Sequence, residues 1–223
     1  MISKTKNFQK TITSSINFDG VGLHSGVNTS IKLIPAPCDF GIQFSYNNNL
    51  IPAVIENVDS TIRGTNLKKN KITIMTVEHL MSALYALEIS NLKIEISNIE
   101  VPILDGTSKI FLNAIQEVGV KKQEKYCNEF IVNKIISFKS SKGIQFHLIP
   151  SNDYKFTYHL EYKNIPILNQ NHSISLKDDN YEKSIASCKT FCLLSELLKL
   201  YELNLIKGGS LKNAVVYIDQ KIS

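Results

Sequence analysis

The strongest constraint on the fold is a run of helical periodicity set directly before a run of strand periodicity. Val77, Leu80, Met81, Leu84 and Leu87 form one apolar stripe at helical spacing. Five residues later Leu92, Ile94 and Ile96 alternate with Lys93 and Glu95, the pattern of a half-buried strand. The other face of the helix carries Ser82, Ala83 and Ala86 instead of Lys and Glu, so the helix is expected to be covered on both sides. Thr76 is expected as the N-cap, with Glu78 in the first turn at the positive end of the helix dipole. Glu78 and His79 are the only ionisable side chains before Glu88. Such a pair offers a metal ligand and a carboxylate able to take a proton from metal-bound water. The alternative is a partly buried histidine satisfied by a backbone carbonyl. One histidine alone makes no metal site.

The rest of the chain reads as short strands and few helices. Residues 11–18 are expected as a strand, running into Gly20-Val21-Gly22-Leu23-His24-Ser25-Gly26. Three glycines in seven residues mark a tight turn, without the form of a dinucleotide fingerprint or a P-loop. Short strands follow around Ile31 and Leu33, around Ile42, Phe44 and Tyr46, and at 71–75. Residues 60–65 form a polar turn holding Arg63. Asp105 or Thr107 is expected to cap a second helix over 108–118. This order suits an α+β domain. The charged stretch 119–128 is expected as a connector, giving domains at 1–122 and 128–223. Beyond it strands are expected at 130–138 and in the alternating runs around Phe146 and Tyr158, then a short helix at 178–184.

Composition narrows the function. Lys+Arg 25 against Asp+Glu 20 gives a formal charge of +5, yet Arg63 is the only arginine. A nucleic-acid module would be expected to cluster arginine and expose aromatics, and the reading here is no nucleic-acid partner. The cysteines Cys38, Cys127, Cys188 and Cys192 form no CxxC and are expected as buried free thiols. No apolar run approaches the roughly 18 residues of a membrane span, and the expectation is a soluble, cytoplasmic monomer. His147, His159 and His172 lie in polar surroundings and are expected to be solvated. His24, in the glycine turn, is an open candidate for a functional role, as is Arg63. The run Leu193, Leu194, Leu197, Leu198 and Leu200 has leucine all round a helix, which means core or an apolar channel.

Five segments occur in order: Gly20-Val21-Gly22-Leu23-His24-Ser25-Gly26, Thr76-Val77-Glu78-His79-Leu80, Val101-Pro102-Ile103-Leu104-Asp105-Gly106-Thr107, Lys189-Thr190-Phe191 and Gly208-Gly209-Ser210. Together they resemble the zinc-dependent UDP-3-O-acyl-N-acetylglucosamine deacetylases of lipid A synthesis, over essentially the whole chain. The resemblance implies two packed two-layer β/α sandwich domains of similar topology, with the active site between them. It implies hydrolysis of the N-acetyl amide of a UDP-linked, acylated glucosamine. His79 would be a zinc ligand and Glu78 the general base. The Thr190 hydroxyl would help stabilise the oxyanion. Phe191 would lie against the nucleotide-sugar. Leu197, Ile206, Ser210 and Ala214 match positions lining the acyl-chain channel.

The resemblance also implies a following helix bearing His-Lys-x-x-x-Asp, whose His and Asp are the other two zinc ligands, and a further His as general acid. The sequence ends at Ser223. On this reading the second domain is incomplete, one of three Zn2+ ligands is present, and the 223-residue chain is expected to be inactive. The rival readings are a catalytically dead remnant that binds a nucleotide-sugar, and a basic nucleic-acid module.

Overall fold

Alternating short runs broken by Gly, Pro and Asn cut the chain into many strands and few helices. The computed structural model describes residues 2–141, 143–162, 165, 168–175 and 181–219. In order, the first part holds β1 (Ile2–Ile12), β2 (Ile16–Val21), β3 (Asn28–Pro35), β4 (Ile42–Tyr46) and β5 (Asn49–Pro52). Next come β6 (Val58–Ser60), β7 (Asn66–Lys69), β8 (Ile72–Ile74), α1 (Glu78–Ala86), β9 (Leu92–Ile96) and α2 (Lys109–Val118). Then follow β10 (Val120–Phe130), β11 (Ile136–Lys139), β12 (Gln145–Leu148), β13 (Lys155–Leu160) and β14 (Gln170–Ser175). A π-helical turn (Glu182–Ala186), β15 (Thr190–Leu193), α3 (Leu194–Glu202) and β16 (Ala214–Tyr217) complete the order. The class is mixed α+β, built from several small sheets.

Two compact units contain these elements: residues 9–125 with 182–223, and residues 1–8 with 126–181. The larger unit holds a five-stranded sheet in the order β2-β3-β9-β4-β5, in which β4 runs parallel to β9 and the other pairs are antiparallel. Its register pairs Ile31 with Ile96, Leu33 with Ile94 and Phe44 with Ile94. Those residues, with Phe18 and Leu92, are buried on one face while Lys93 and Glu95 stay half exposed, as the period of two requires. Helices α1 and α2 lie side by side. Phe111 of α2 meets Phe18 of β2 edge to face at 4.9 Å, a favoured aromatic geometry. Leu80, Ala83 and Leu84 bury the inner face of α1.

Several expectations need correction. Residues 11–18 are the end of β1 and the start of β2, with a turn between. The charged stretch 119–128 is not a connector but most of β10, which pairs with β1. The strand expected at 130–138 divides between the end of β10 and β11. Thr76 does not cap α1: Val77 holds that position, and Thr76 stands at φ 58 with its hydroxyl bonded elsewhere. Ser108 holds the N-cap position of α2 without a side-chain cap bond, its hydroxyl donating to the Ala186 carbonyl at 3.3 Å. The first helical amide, that of Lys109, donates to Thr107 Oγ1 at 3.2 Å, so Thr107 satisfies an end donor as expected and Asp105 does so only through Thr107. The helix expected at 178–184 falls partly outside the described residues. The thiols are free but not buried: Cys188 is exposed and the other three are intermediate.

The smaller unit contains two antiparallel hairpins, β11-β12 and β13-β14. Ile136 pairs with Leu148 and Phe138 with Phe146, yet these four remain 36–62% exposed. His147, His159 and His172 are exposed, as expected, the last of them within β14. Exposed aromatics, expected to be absent, are therefore present, in Phe138, Phe146, Phe156 and Tyr158 among others.

Candidate active site

The larger unit brings four of the singled-out segments to the start of α1. Glu78 opens the helix with His79 beside it, both half buried. The Thr65 amide donates to Glu78 Oε2 at 2.8 Å, and the Val77 amide donates to the Thr65 carbonyl at 3.1 Å. Loop 61–65 is thus tied to the helix start at two points. Gly64 leaves room over the other oxygen: a Cβ there would stand 3.4 Å from Glu78 Oε1 and 3.6 Å from His24 Nε2. Burial pushes the His79 imidazole below its ordinary pKa, and the charges of Glu78 and Asp105 oppose that shift.

The glycine turn supplies His24. Its ring is 6% exposed, and Nε2 lies 3.0 Å from the Arg63 carbonyl oxygen. A carbonyl only accepts, so Nε2 carries the proton and donates. Nδ1 is buried with no hydrogen-bond partner. Arg63, at φ 60, turns its guanidinium the other way. It forks onto the Glu196 carboxylate of α3 at 3.0 and 2.5 Å. That hydrogen bond is the main reason the Glu196 carboxyl sits below its ordinary pKa.

A buried carboxylate joins the turn to the helix. Glu100 is fully buried. Its Oε1 accepts from the His24 amide at 2.9 Å and from Thr76 Oγ1 at 2.7 Å, and its Oε2 accepts from the Ser25 amide at 2.8 Å. Gly22 is what lets this carboxylate in, since a Cβ there would lie 2.7 Å from Glu100 Cδ. Sequence reasoning missed Glu100. A single acidic residue before an apolar run carries no local sign that it will be buried.

Segment 101–107 connects the helix start to Thr190. Asp105, whose charge acts on His79, accepts from the Thr107 amide and hydroxyl at 3.0 and 2.8 Å. The Thr190 amide donates to the Gly106 carbonyl at 3.0 Å. Lys189 Nζ donates to the carbonyls of Asp105 and Lys212 at 2.7 and 2.6 Å, clamping both segments beside Thr190. Strands β15 and β16 are parallel, with Thr190 opposite Ala214 and Phe191 opposite Val215. Phe191 is 41% exposed and meets Tyr217 edge to face at 5.6 Å.

The remaining singled-out residues cluster on the turn after α3. The amides of Lys207 and Gly208 donate to the carbonyls of His24 and Leu23 at 3.3 and 3.0 Å, docking this turn on the glycine turn. Ile206, at φ 55, is half buried. Ser210 is exposed, and its carbonyl accepts from the amides of Asn213 and Ala214. Leu197 is half buried, but α3 is not covered all round: Leu200 is buried while Leu198 is 79% exposed. The core reading of that helix therefore fails on one face.

Among the described residues no group of three or more His, Cys, Asp or Glu side chains is placed to hold a metal ion. His79 offers one imidazole, and His24 spends Nε2 on a carbonyl. Zinc takes three protein ligands even in an open catalytic site, so these residues by themselves do not fit it.

Comparison with known proteins places the sequence in a family. A family model described as LpxC, UDP-3-O-acyl N-acetylglycosamine deacetylase, matches residues 9–223. The chain is 36% identical over 220 residues to the UDP-3-O-acyl-N-acetylglucosamine deacetylase of Syntrophus aciditrophicus, covering 96% of this chain and 69% of that one. It is 36% identical over 220 residues to the enzyme of that name from Chlamydia pneumoniae, covering 96% of this chain and 78% of that one. It is 32% identical over 219 residues to the bifunctional enzyme LpxC/FabZ of Chlorobaculum tepidum, covering 96% of this chain and 47% of that one. The chain spans about half the length of the bifunctional relatives and roughly three-quarters of the others. With a match running from residue 9 to residue 223, the chain belongs to the UDP-3-O-acyl-N-acetylglucosamine deacetylase family.

Proposed function

We propose that this protein hydrolyses the N-acetyl amide of a UDP-3-O-(3-hydroxyacyl)-N-acetylglucosamine in lipid A biosynthesis, acting in the cytoplasm as a monomer. The observation that carries the reading is the Glu78 carboxylate. One oxygen is fixed by the Thr65 amide, and the other lies beneath Gly64, where no side chain stands. Water attacks the acetyl carbonyl carbon. Glu78 takes a proton from that water as the new C–O bond forms. The carbonyl oxygen becomes an oxyanion, to which the Thr190 hydroxyl donates a hydrogen bond. The C–N bond then breaks, the proton passes to the leaving amine, and acetate and the free glucosamine nitrogen remain.

The family is zinc-dependent, and His79 is proposed as one ligand. In a chain that also carries the matching His and Asp, His79 would hold zinc with them, and the metal would supply Lewis-acid polarisation of the acetyl carbonyl and of water. Residues 1–223 carry one of the three ligands the resemblance implies. Turnover is therefore proposed for a chain that includes the matching His and Asp, not for this stretch tested alone. Phe191 is proposed to lie against the nucleotide-sugar. Leu197, Ile206, Ser210 and Ala214 are proposed to line the acyl channel, with the exposed leucines of α3 toward the lipid chain. His24 and Arg63 are proposed as site-forming residues. The domain arrangement is proposed as two β/α sandwich domains, residues 1–122 and 128–223. Acetate release from the acylated UDP-sugar, with bound zinc measured on the same preparation, tests the reading. Zinc without acetate release would favour a nucleotide-sugar binding protein instead.

A further inference from the structure

We propose that Glu100 is a positioning residue that fixes the carboxylate of Glu78; this rests on reading Glu78 as the base. Glu100 is fully buried and has no ion-pair partner among the described residues. Burying a carboxylate costs several kcal/mol unless hydrogen bonds to it compensate. Here three donors do so, and they come from two separate segments: the amides of His24 and Ser25, and the hydroxyl of Thr76.

Two of these bonds, from Thr76 and from His24, lead on to Glu78. On one side Thr76 lies two residues before Glu78, in a left-handed conformation at φ 58. A β-branched residue is held there only by surrounding bonds. Its amide donates to Asn66 Oδ1 at 3.3 Å and its hydroxyl to Glu100. On the other side Glu100 holds the His24 backbone. The His24 ring then donates to the Arg63 carbonyl, and the same loop donates from Thr65 to Glu78 Oε2. The bonds close a ring that starts and ends at Glu100 and passes through the Glu78 carboxylate. Removing Glu100 frees both the helix start and the loop, so Glu78 loses its fixed oxygen.

Amide exchange on the chain reads this without any turnover. In Glu100→Gln the amide nitrogen replaces either Oε1, which faces the His24 amide and the Thr76 hydroxyl, or Oε2, which faces the Ser25 amide. One backbone amide therefore loses its acceptor, and every remaining bond loses its charge assistance. The expected result is exchange about tenfold faster at His24 or Ser25 and about fivefold faster at Thr65, with the amides of β9 within about twofold of wild type. Thr65 does not touch Glu100, so a merely local structural role leaves it unmoved. Unchanged Thr65 exchange, or acceleration shared equally by β9, overturns the proposal. Should Glu100→Gln not fold, Thr76→Val carries the same test by removing one donor to Glu100. Faster Thr65 exchange supports the proposal and unchanged exchange overturns it.

In a chain that turns over, Glu100→Gln should lower kcat about tenfold with KM within about twofold. Added to Glu78→Gln it should cost nothing further, whereas independent losses multiply. Multiplying losses overturn the positioning role. If the wild-type chain that includes the matching His and Asp releases no acetate at all, the deacetylase reading fails while the exchange result stands by itself.

Discussion

Gly106→Ala tests the joint between the 101–107 segment and Thr190. Gly106 stands at φ 81, where an L residue costs roughly 1–2 kcal/mol. A Cβ there would fall onto the Asn213 carbonyl, 2.7 Å from its carbon and 3.3 Å from its Cα. The neighbour is backbone and cannot swing away. Asn213 is itself buried and bonded, through Nδ2 to the Gly208 carbonyl at 3.0 Å and through Oδ1 to the Ser210 amide at 2.8 Å. Forced overpacking adds about 1–3 kcal/mol. Displacing Gly106 also strains the Thr190 amide bond to its carbonyl, worth about 0.5–1.5 kcal/mol. The sum is about 3–6 kcal/mol. With a urea m-value of about 2 kcal/mol/M, the unfolding midpoint of the larger unit should fall by about 1.5–3 M, followed by far-UV circular dichroism. A midpoint within about 0.5 M of wild type refutes the packing argument.

Four smaller predictions follow. Thr190→Val should lower kcat by about 10²-fold, as loss of an oxyanion donor does; steady-state acetate release checks it, and an unchanged kcat removes Thr190 from that role. In a chain that includes the matching His and Asp, Ala214→Trp should block long acyl chains and spare short ones, because a packed channel cannot absorb the bulk; equal losses for both substrate lengths contradict the channel. Phe111→Ala should cost about 3–5 kcal/mol in urea unfolding, since the ring is fully buried against Phe18; a loss under about 1 kcal/mol would contradict that packing. Arg63 holds the Glu196 carboxyl below its ordinary value of 4.5, so the pair's contribution is present above that value and is lost as pH falls through the lowered folded value. The pair is partly exposed, so Arg63→Gln should cost no more than about 1 kcal/mol at pH 7, and the gap to wild type should close in acid; a gap that widens in acid contradicts the assignment.

What could be read from sequence, and what could not, divides along physical lines. The α1 stripe and the β9 alternation were legible because each is a local period imposed by one buried face, and both elements lie where expected. The charged run 119–128 was not, because β10 buries no residue of its own (Gln123 and Cys127 are at most half covered) and so shows no period of two. Thr76 looked like a cap because capping preference is local, while its actual partner, Glu100, is 24 residues away. Leucine all round α3 suggested burial, yet a helix that follows β15 directly covers only the Leu200 side. Glu78 and His79 were legible as a chemical pair, since adjacency is visible in sequence. The ring through Glu100, His24 and Thr65 depends on contacts 13 to 76 residues apart, which no spacing reveals.

The role of Glu78 as the base is reached most directly by one substitution. Glu78→Gln keeps the shape and the Thr65 bond to an oxygen but cannot take a proton at neutral pH. In a chain that includes the matching His and Asp, it should retain zinc and KM close to wild type while acetate release slows about 10²-fold or more. Turnover within a few-fold of wild type, at equal zinc content, would contradict the assignment and move the base elsewhere.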